Sequence, residues 1–441
     1  MTYDAPKAGI GWLGVLRLGT VQAAIGAMVM LATSLLNRVM VVEFAIAAAV
    51  PAGLVAWHYA VQFSRPLWGH KSDRSERRSS WIMAGLGILA LGTLVSVDAT
   101  IMMAGGGVFA IILAVAGFSL IGLGVGMAGT ALLALLASRV VIERKPAAAA
   151  ITWTMMVAGI VVAAGVSGAF LDPFSEERLA IVTSLVVLVA FCAACLALYG
   201  LERNSRPVDN GKATQSEAGF AEVLRDISQD RQARRFTYFV FISMLAYSMQ
   251  DLILEPFAGF VFAMTPGQST QLAGVQHSGI LLGMLVAGLG GSLYAKYFGR
   301  HEKLWIIIGC LGSAIMLGGL SVAAAVGPTW PLKANVFGLG LANGIFAVAA
   351  VGAMLGLASD GTSSGEGARM GVWGAAQAIA FGAGGLLGAV IVDVLRGTSA
   401  DGSNAFQIVF VIEGAMFILA ALVATGTSMS RREMNGKAVQ I

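Results

Sequence analysis

Arg38, Asp251 and Glu255 are the residues around which chemistry could be built. Each lies inside a long apolar run, where an ionised side chain is expensive unless it is paired or hydrated. Asn37 and Glu43 flank Arg38, and Gln250 precedes Asp251. Arg38 paired with Asp251 or Glu255 would act as a gate or a substrate anchor; the same pair could equally be a static tie between two halves. Removing one member of such a pair should hurt more than removing both. Pro256, directly after Glu255, frees a backbone carbonyl and bends its helix, turning the carboxylate inward. Glu413 is a further acid inside an apolar run; it could be neutral, snorkel or face a lipid-side partner, and the sequence leaves its role open. His58 and His277 each offer one imidazole nitrogen, the single axial ligand that a magnesium in a large apolar ring needs. The alternative is a hydrogen-bonded packing histidine. No cluster could cage a free metal ion. There is no Ser/His/Asp order, no P-loop, no dinucleotide fingerprint and no Asp-rich diphosphate motif, so the chain is expected not to be an enzyme.

The elements that carry these residues follow from composition. The chain has 441 residues, of which 57% are hydrophobic and only 12% charged. A soluble domain carries roughly 25% charge, so there is too little polar surface here for a water-soluble globule. Disorder, collagen and coiled coil are excluded on the same ground. Gly numbers 57, well above the usual ~7%, which suits close helix packing in lipid. A span needs about 20 apolar residues, and twelve runs qualify: 18–42, 44–64, 81–100, 108–137, 147–170, 179–201, 236–264, 270–295, 304–326, 333–358, 370–394 and 404–427. None alternates with the period of two that barrel strands show, so the expected class is an all-α integral membrane protein.

Charge sets the orientation. All but four of the 28 Lys and Arg lie in the N-terminus, the loops of one face or the C-terminal tail. Arg38 sits within a span, and only Arg178, Lys333 and Arg396 belong to the other face. Both termini are therefore expected in the cytoplasm. The net charge of +4 marks a membrane face, not a nucleic-acid surface. Cys192 and Cys195 lie one turn apart in an apolar run and read as packing residues rather than a redox pair. The first apolar run is too long for a cleaved signal and reads as a retained span. The expected organisation is a six-helix bundle over 1–201, a cytoplasmic linker over 202–235, a second bundle over 236–427 and a tail over 428–441. Within the linker, Phe220, Val223, Leu224 and Ile227 have the spacing of an amphipathic helix on the membrane surface; a solvated linker helix is the alternative.

The halves repeat features in the same order. Arg38 corresponds to Asp251, His58 loosely to His277, Ser138 to Ser359, and Trp153 with Asp172 to Trp373 with Asp393. Collinear matches of this kind indicate two six-helix repeats. The loop from Gly69 to Arg78, with Asp73, Arg74, Arg77 and Arg78, resembles the signature loop of the major facilitator superfamily, Gly-x-x-x-Asp-Arg-x-Gly-Arg-Arg, with Glu76 at the second Gly. The resemblance implies two pseudo-symmetric bundles around a cavity, with the loop as a gating element. The segments Gly122-x-x-x-Gly126, Gly340-x-x-x-Gly344 and Gly384-x-x-x-Gly388 are close-packing patches.

A narrower resemblance rests on four segments: Leu36 to Glu43, Gln250 to Gly259, Asn343 to Ala350, and Gly371 to Gly382 with Trp373 and Gln377. They resemble the PucC/LhaA bacteriochlorophyll-delivery family, with Phe257 and Ala258 where its members carry Tyr and Gly. A branch of that family is called a bacteriochlorophyll synthase chain, which the segment Trp57 to Gln62 favours. The resemblance implies a protein of the inner or intracytoplasmic photosynthetic membrane, with bacteriochlorophyll a as cargo and lipids and light-harvesting antenna polypeptides as partners. It implies delivery of pigment during assembly of light-harvesting complexes. The pigment or substrate would be held by some of Asn37, Arg38, Glu43, His58, Gln250, Asp251, Glu255, His277 and Gln377. Three other readings stay open: a proton-coupled transporter of a small solute using Asp251 and Glu255, a pigment-synthesis enzyme, and a pigment-free assembly scaffold.

Overall fold

The computed structural model describes residues 9–65, 67–68, 72, 75, 77–141, 144–202, 229–298, 302–359, 366–398 and 402–426. Within them the chain folds into long helices and no strand. In chain order these are α1 (Trp12–Glu43), α2 (Ala49–Val61), α3 (Arg78–Ala104), α4 (Val108–Arg139), α5 (Lys145–Phe170), α6 (Glu176–Leu198), α7 (Arg231–Phe262), α8 (Pro266–Phe298), α9 (Glu302–Val326), α10 (Leu332–Ser359), α11 (Glu366–Thr398) and α12 (Ser403–Thr425). Ten of them are both long and apolar enough to cross a membrane. The other two are α2, with 13 helical residues, and α8, which opens with Gln268, Gln271, Gln276 and His277. Each of the twelve expected spans falls on one helix. The side chains confirm the solvent: Leu196 is 75% exposed and Ile315 67%, an outward face that only lipid tolerates.

Local sequence ends these helices where the chain must turn. Gly106 and Gly107, between α3 and α4, take φ of +72° and +114°, which L side chains resist. Ser175 caps α6, its hydroxyl accepting from the Arg178 amide at 3.1 Å, with Glu176 and Glu177 in the first turn; both features favour a helix N-terminus. The start of α8 is a capping box. Thr265 Oγ1 accepts from the Gln268 amide and Gln268 Oε1 from the Thr265 amide, each at 3.2 Å, with Pro266 in the first helical position.

The chain divides into two compact units, Met1–Lys212 with Leu254–His277, and Ala213–Ile253 with Ser278–Ile441. The end of α7 and the start of α8 thus belong with α1–α6. Asp172, in the α5–α6 loop, holds them there. Its Oδ2 accepts from the Thr265 hydroxyl at 2.6 Å and its Oδ1 from the Gly267 amide at 3.1 Å. A Cβ at Gly267 would lie 2.5 Å from Asp172 Oδ2, so only glycine admits this contact. Asp172→Ala removes both acceptors and is expected to lower stability by about 1–2 kcal/mol, with Asp172→Asn milder because one acceptor remains. Thermal unfolding in detergent, together with faster hydrogen exchange at the Gly267 amide, checks this; unchanged exchange there would refute the tie.

The abundant glycines sit where helices cross. In the first unit a Cβ at Gly159 would come within 2.2 Å of the Ala23 carbonyl oxygen, and one at Gly124 within 2.5 Å of the Leu89 nitrogen. In the second, Gly344 meets the Ile280 carbonyl at 2.1 Å and Gly384 the Leu245 carbonyl at 2.5 Å. Within the first patch singled out in the sequence the two glycines differ: a Cβ at Gly122 would lie 2.6 Å from the His58 carbonyl oxygen, whereas one at Gly126 has its nearest neighbour at 3.6 Å. The thiols of Cys192, Cys195 and Cys310 are free, and Cys192 is exposed.

Candidate functional site

Arg38 is 1% exposed and lies between two wide turns of α1. The segments Leu31–Leu35 and Val39–Glu43 are π-helical and Leu36–Arg38 between them is α-helical. In an α-helix the residue five along points well away from the first; the i→i+5 turn brings it back over the same face. Glu43 is thereby placed above Arg38, and Arg38 Nη1 pairs with Glu43 Oε1 at 2.9 Å. This differs from the expected pairing with the acids of α7. The cause is the π turn, which the residue order does not announce.

The α7–α8 tip completes the enclosure. Arg38 Nη2 donates to the Met264 carbonyl at 2.8 Å. That carbonyl is presented by a turn in which Ala263 has φ +52° and the Met264 amide bonds back to the Ala258 carbonyl. Gly259 makes room for the guanidinium: a Cβ there would lie 3.0 Å from Cζ, Nε and Nη2 of Arg38. Glu255, one turn earlier and 2% exposed, accepts through Oε1 from the Ser34 hydroxyl and lies within reach of the Arg38 charge. Pro256 stands inside α7, which runs through it from Arg231 to Phe262. Among the described residues two buried atoms of this cluster lie outside the hydrogen bonds named above, Arg38 Nε and Glu255 Oε2, and the Thr270 hydroxyl stands near the Glu255 carboxyl. A donor and an acceptor out of water are costly unless something uses them.

The other candidates fall in different places. Asn37 is buried beside Arg38 in sequence, 2% exposed. His58 is buried on α2 with Nδ1 2.7 Å from the Val55 carbonyl, and His277 is half-buried on α8 with Nδ1 2.9 Å from the Ala273 carbonyl. A carbonyl only accepts, so Nδ1 carries the proton in both rings and Nε2 keeps its lone pair, the tautomer that axial ligation of a metal requires. An apolar recess of about 350 Å³ opens on the outer side of α2, α3 and α4, lined by Gly53, Leu54, Trp57, Met103, Ile111 and Val115 among others. His58 does not line it. Gln250 and Asp251 lie in the second unit. Gln250 is fully buried, and among the described residues neither its amide atoms nor Asp251 Oδ1 makes a hydrogen bond. Gln377 is half-buried on α11. Of the loop expected to gate, Gly69, Asp73 and Arg74 lie outside the described residues, as do the linker positions Phe220, Val223, Leu224 and Ile227. Arg78 ties the start of α3 to the end of α4, its Nη1 donating to the Ala134 carbonyl at 2.8 Å and the Ser138 hydroxyl at 2.5 Å. Arg77 precedes it as the N-cap residue.

Sequence reading passed over Glu202. Its Oε1 and Oε2 accept from the Arg78 and Ser79 amides, and Oε1 also pairs with Arg139 at 3.3 Å. It also passed over Asp172 as a bonding residue. The Thr265-Pro-Gly-Gln268 pattern was available as a signal for the helix start that Asp172 grips; Glu202 carried no local signal.

Residues 35–432 match the family described as PUCC protein. The chain belongs to the PUCC protein family. Among its relatives, the "Bacteriochlorophyll synthase 44.5 kDa chain" of Rhodobacter capsulatus is 46% identical, over 96% of this chain and 97% of that one. The "Protein PucC" of the same organism is 29% identical over 93% of this chain and 91% of that one. The first of these overturns the expectation of a protein that is not an enzyme, because a relative this similar along its whole length bears the name of a synthase chain. The fold of this PUCC protein is the major facilitator fold: the crystal structure of a D-xylose-proton symporter superposes with a TM-score of 0.70, covering 95% of this chain and 98% of that one, at 14% identity. At that identity the likeness speaks for the fold alone. In this PUCC protein the motifs around Arg38 and Glu255 are the parts of α1 and α7 that meet in one buried cluster.

Proposed function

We propose that this PUCC protein binds bacteriochlorophyll in the photosynthetic inner membrane and hands it to light-harvesting antenna polypeptides as their complexes assemble. The observation that carries the reading is the family match over nearly the whole chain, joined to a relative named for bacteriochlorophyll synthase. The synthase name supports work next to the step at which the pigment is completed. The chemistry of the chain supports the same cargo. A tetrapyrrole with a hydrocarbon tail is too oily for water and needs an apolar carrier. His58 and His277 hold Nε2 as a free donor to one magnesium, Arg38 Nε is a spare donor for a ring carbonyl, and the recess beside Trp57 suits a tail. Asn37, Glu43, Glu255, Gln250, Asp251 and Gln377 are the remaining candidates for contact with the pigment. In this reading both termini face the cytoplasm, and 1–201 and 236–427 act as the two bundles.

The test is an absorption spectrum of the protein purified in detergent from a pigment-making host, repeated for His58→Ala and His277→Ala. Bacteriochlorophyll is expected to co-purify with the wild type, and loss of its axial histidine is expected to shift or abolish the long-wavelength band. A colourless wild-type protein, in a host whose antenna fills normally without it, would sink the proposal.

A further inference from the structure

Asp251 on α7 and Glu413 on α12 both belong to the second unit. Tyr247 lies one turn before Asp251, with its ring 6.4 Å from that of Phe346 on α10. Phe346 in turn meets Phe417 of α12 edge-on at 5.6 Å. Successive helices alternate in direction, so one turn further from this aromatic cluster stand Asp251, Asn343 and Glu413, all at one level. Asp251 is within electrostatic reach of Glu413. Gly414, beside Glu413, packs on Ala314 of α9, and the adjacent Ser313 donates to Asn343 Oδ1 at 2.7 Å.

Four buried polar atoms at this level make no hydrogen bond among the described residues, while Asp251 as a whole is half-buried. Glu413 is fully buried with neither carboxyl oxygen bonded, Asp251 Oδ1 is unpartnered, and so is Nδ2 of the fully buried Asn343. No cation is bonded to either acid among the described residues. Lys303 is tied to the Thr425 carbonyl at one end of the unit, while Lys333, Asp393 and Arg396 stand toward the other ends of α10 and α11. Against this stretch of α7, α11 presents Gly384, Gly385 and Gly388. Cys310 is the other titratable side chain of α9 near this level, one turn from Ser313, and Glu255 is the next acid along α7.

We propose that Asp251 and Glu413 are a carboxyl pair that takes up a proton from water and holds it between them, with Asn343 Nδ2 donating to an oxygen left over. Two bare carboxylates in an apolar interior repel each other and lose their hydration. One proton removes the repulsion and supplies the missing O–H donor, and the pair then titrates as a unit. A proton held between one oxygen of each acid, with Asn343 Nδ2 donating to the second oxygen of Glu413, accounts for the two unbonded oxygens of Glu413, the unbonded Oδ1 of Asp251 and the idle amide donor. This inference stands whether or not the protein carries pigment.

The experiment is infrared spectroscopy of the full-length protein in detergent at neutral pH, reading the carbonyl stretch of protonated carboxyl groups and its shift in heavy water. Glu413→Gln and Asp251→Asn are compared with the wild type, and Glu255→Gln identifies that acid's own absorption. The pair is expected to give a band that Glu413→Gln abolishes or shifts and that Asp251→Asn also moves, while Glu255→Gln leaves it in place. A wild-type spectrum with no protonated-carboxyl band, or Glu413→Gln and Asp251→Asn spectra superimposable on the wild type, would overturn the proposal. So would a band erased by sodium chloride but not by choline chloride, which would make the site a cation site. The wild-type measurements need no variant to fold.

Discussion

Arg38→Met is expected to destabilise the protein by about 1–3 kcal/mol, the cost of taking a buried charged donor away from the groups it holds. The guanidinium holds Glu43 at 2.9 Å and the Met264 carbonyl at 2.8 Å, and its charge reaches Glu255. Without it, Glu43 and the Met264 carbonyl lose this donor, Glu255 loses the nearby positive charge, and the α7–α8 tip loses its bond to α1. The double variant Arg38→Met with Glu255→Gln should lose less than the sum of the two single changes, because the second removes the charge that the first strands. A coupling of about 0.5–3 kcal/mol is the range for residues in one network. Chemical unfolding of the four proteins in detergent measures it. Strict additivity would mean that Arg38 and Glu255 do not share a network, and a harmless Arg38→Met would remove Arg38 from the site altogether.

The second large effect is expected from a single methyl group. Gly344→Ala puts a Cβ 2.1 Å from the Ile280 carbonyl oxygen and 2.9 Å from the carbonyl carbon. The obstruction is backbone, so no rotamer change can relieve it and α8 and α10 must move apart. Overpacking of this kind costs about 1–3 kcal/mol and sometimes more. The internal control is Gly126→Ala, whose nearest neighbours are side-chain atoms at 3.6 Å or beyond; it should be near neutral or slightly stabilising, since alanine favours helix. Melting temperatures of the two variants decide the matter. Equal effects would show that Gly-x-x-x-Gly spacing, and not the local approach, governs packing here.

The contrast between those glycines shows where sequence reading stops. Gly122-x-x-x-Gly126 and Gly340-x-x-x-Gly344 have the same spacing, yet Gly126 touches nothing closely while Gly344 is pressed against a neighbouring backbone. Likewise Trp153 and Trp373 hold corresponding places in the two repeats, yet Trp153 is half exposed while Trp373 is fully buried and donates to the Thr237 hydroxyl at 2.9 Å. Arg38 announced itself as a charge in lipid, but the partner it chose, Glu43, depended on a π turn. Glu413 was visible as an acid in the last span; that it stands level with Asp251 and Asn343 was not.

The residue order by itself determined that this chain crosses a membrane through helices, how many there are, and which few polar side chains must be satisfied inside lipid. Those conclusions need only hydropathy, charge and the cost of an unpaired backbone group, all of which act within a single segment. Tertiary structure alone decided which of those polar groups meet. Partners such as Asp172 and Gly267 are separated by about a hundred residues and brought together by the packing of the helices. The angle and register of a crossing are set by the packing of many side chains at once, and no local pattern encodes them.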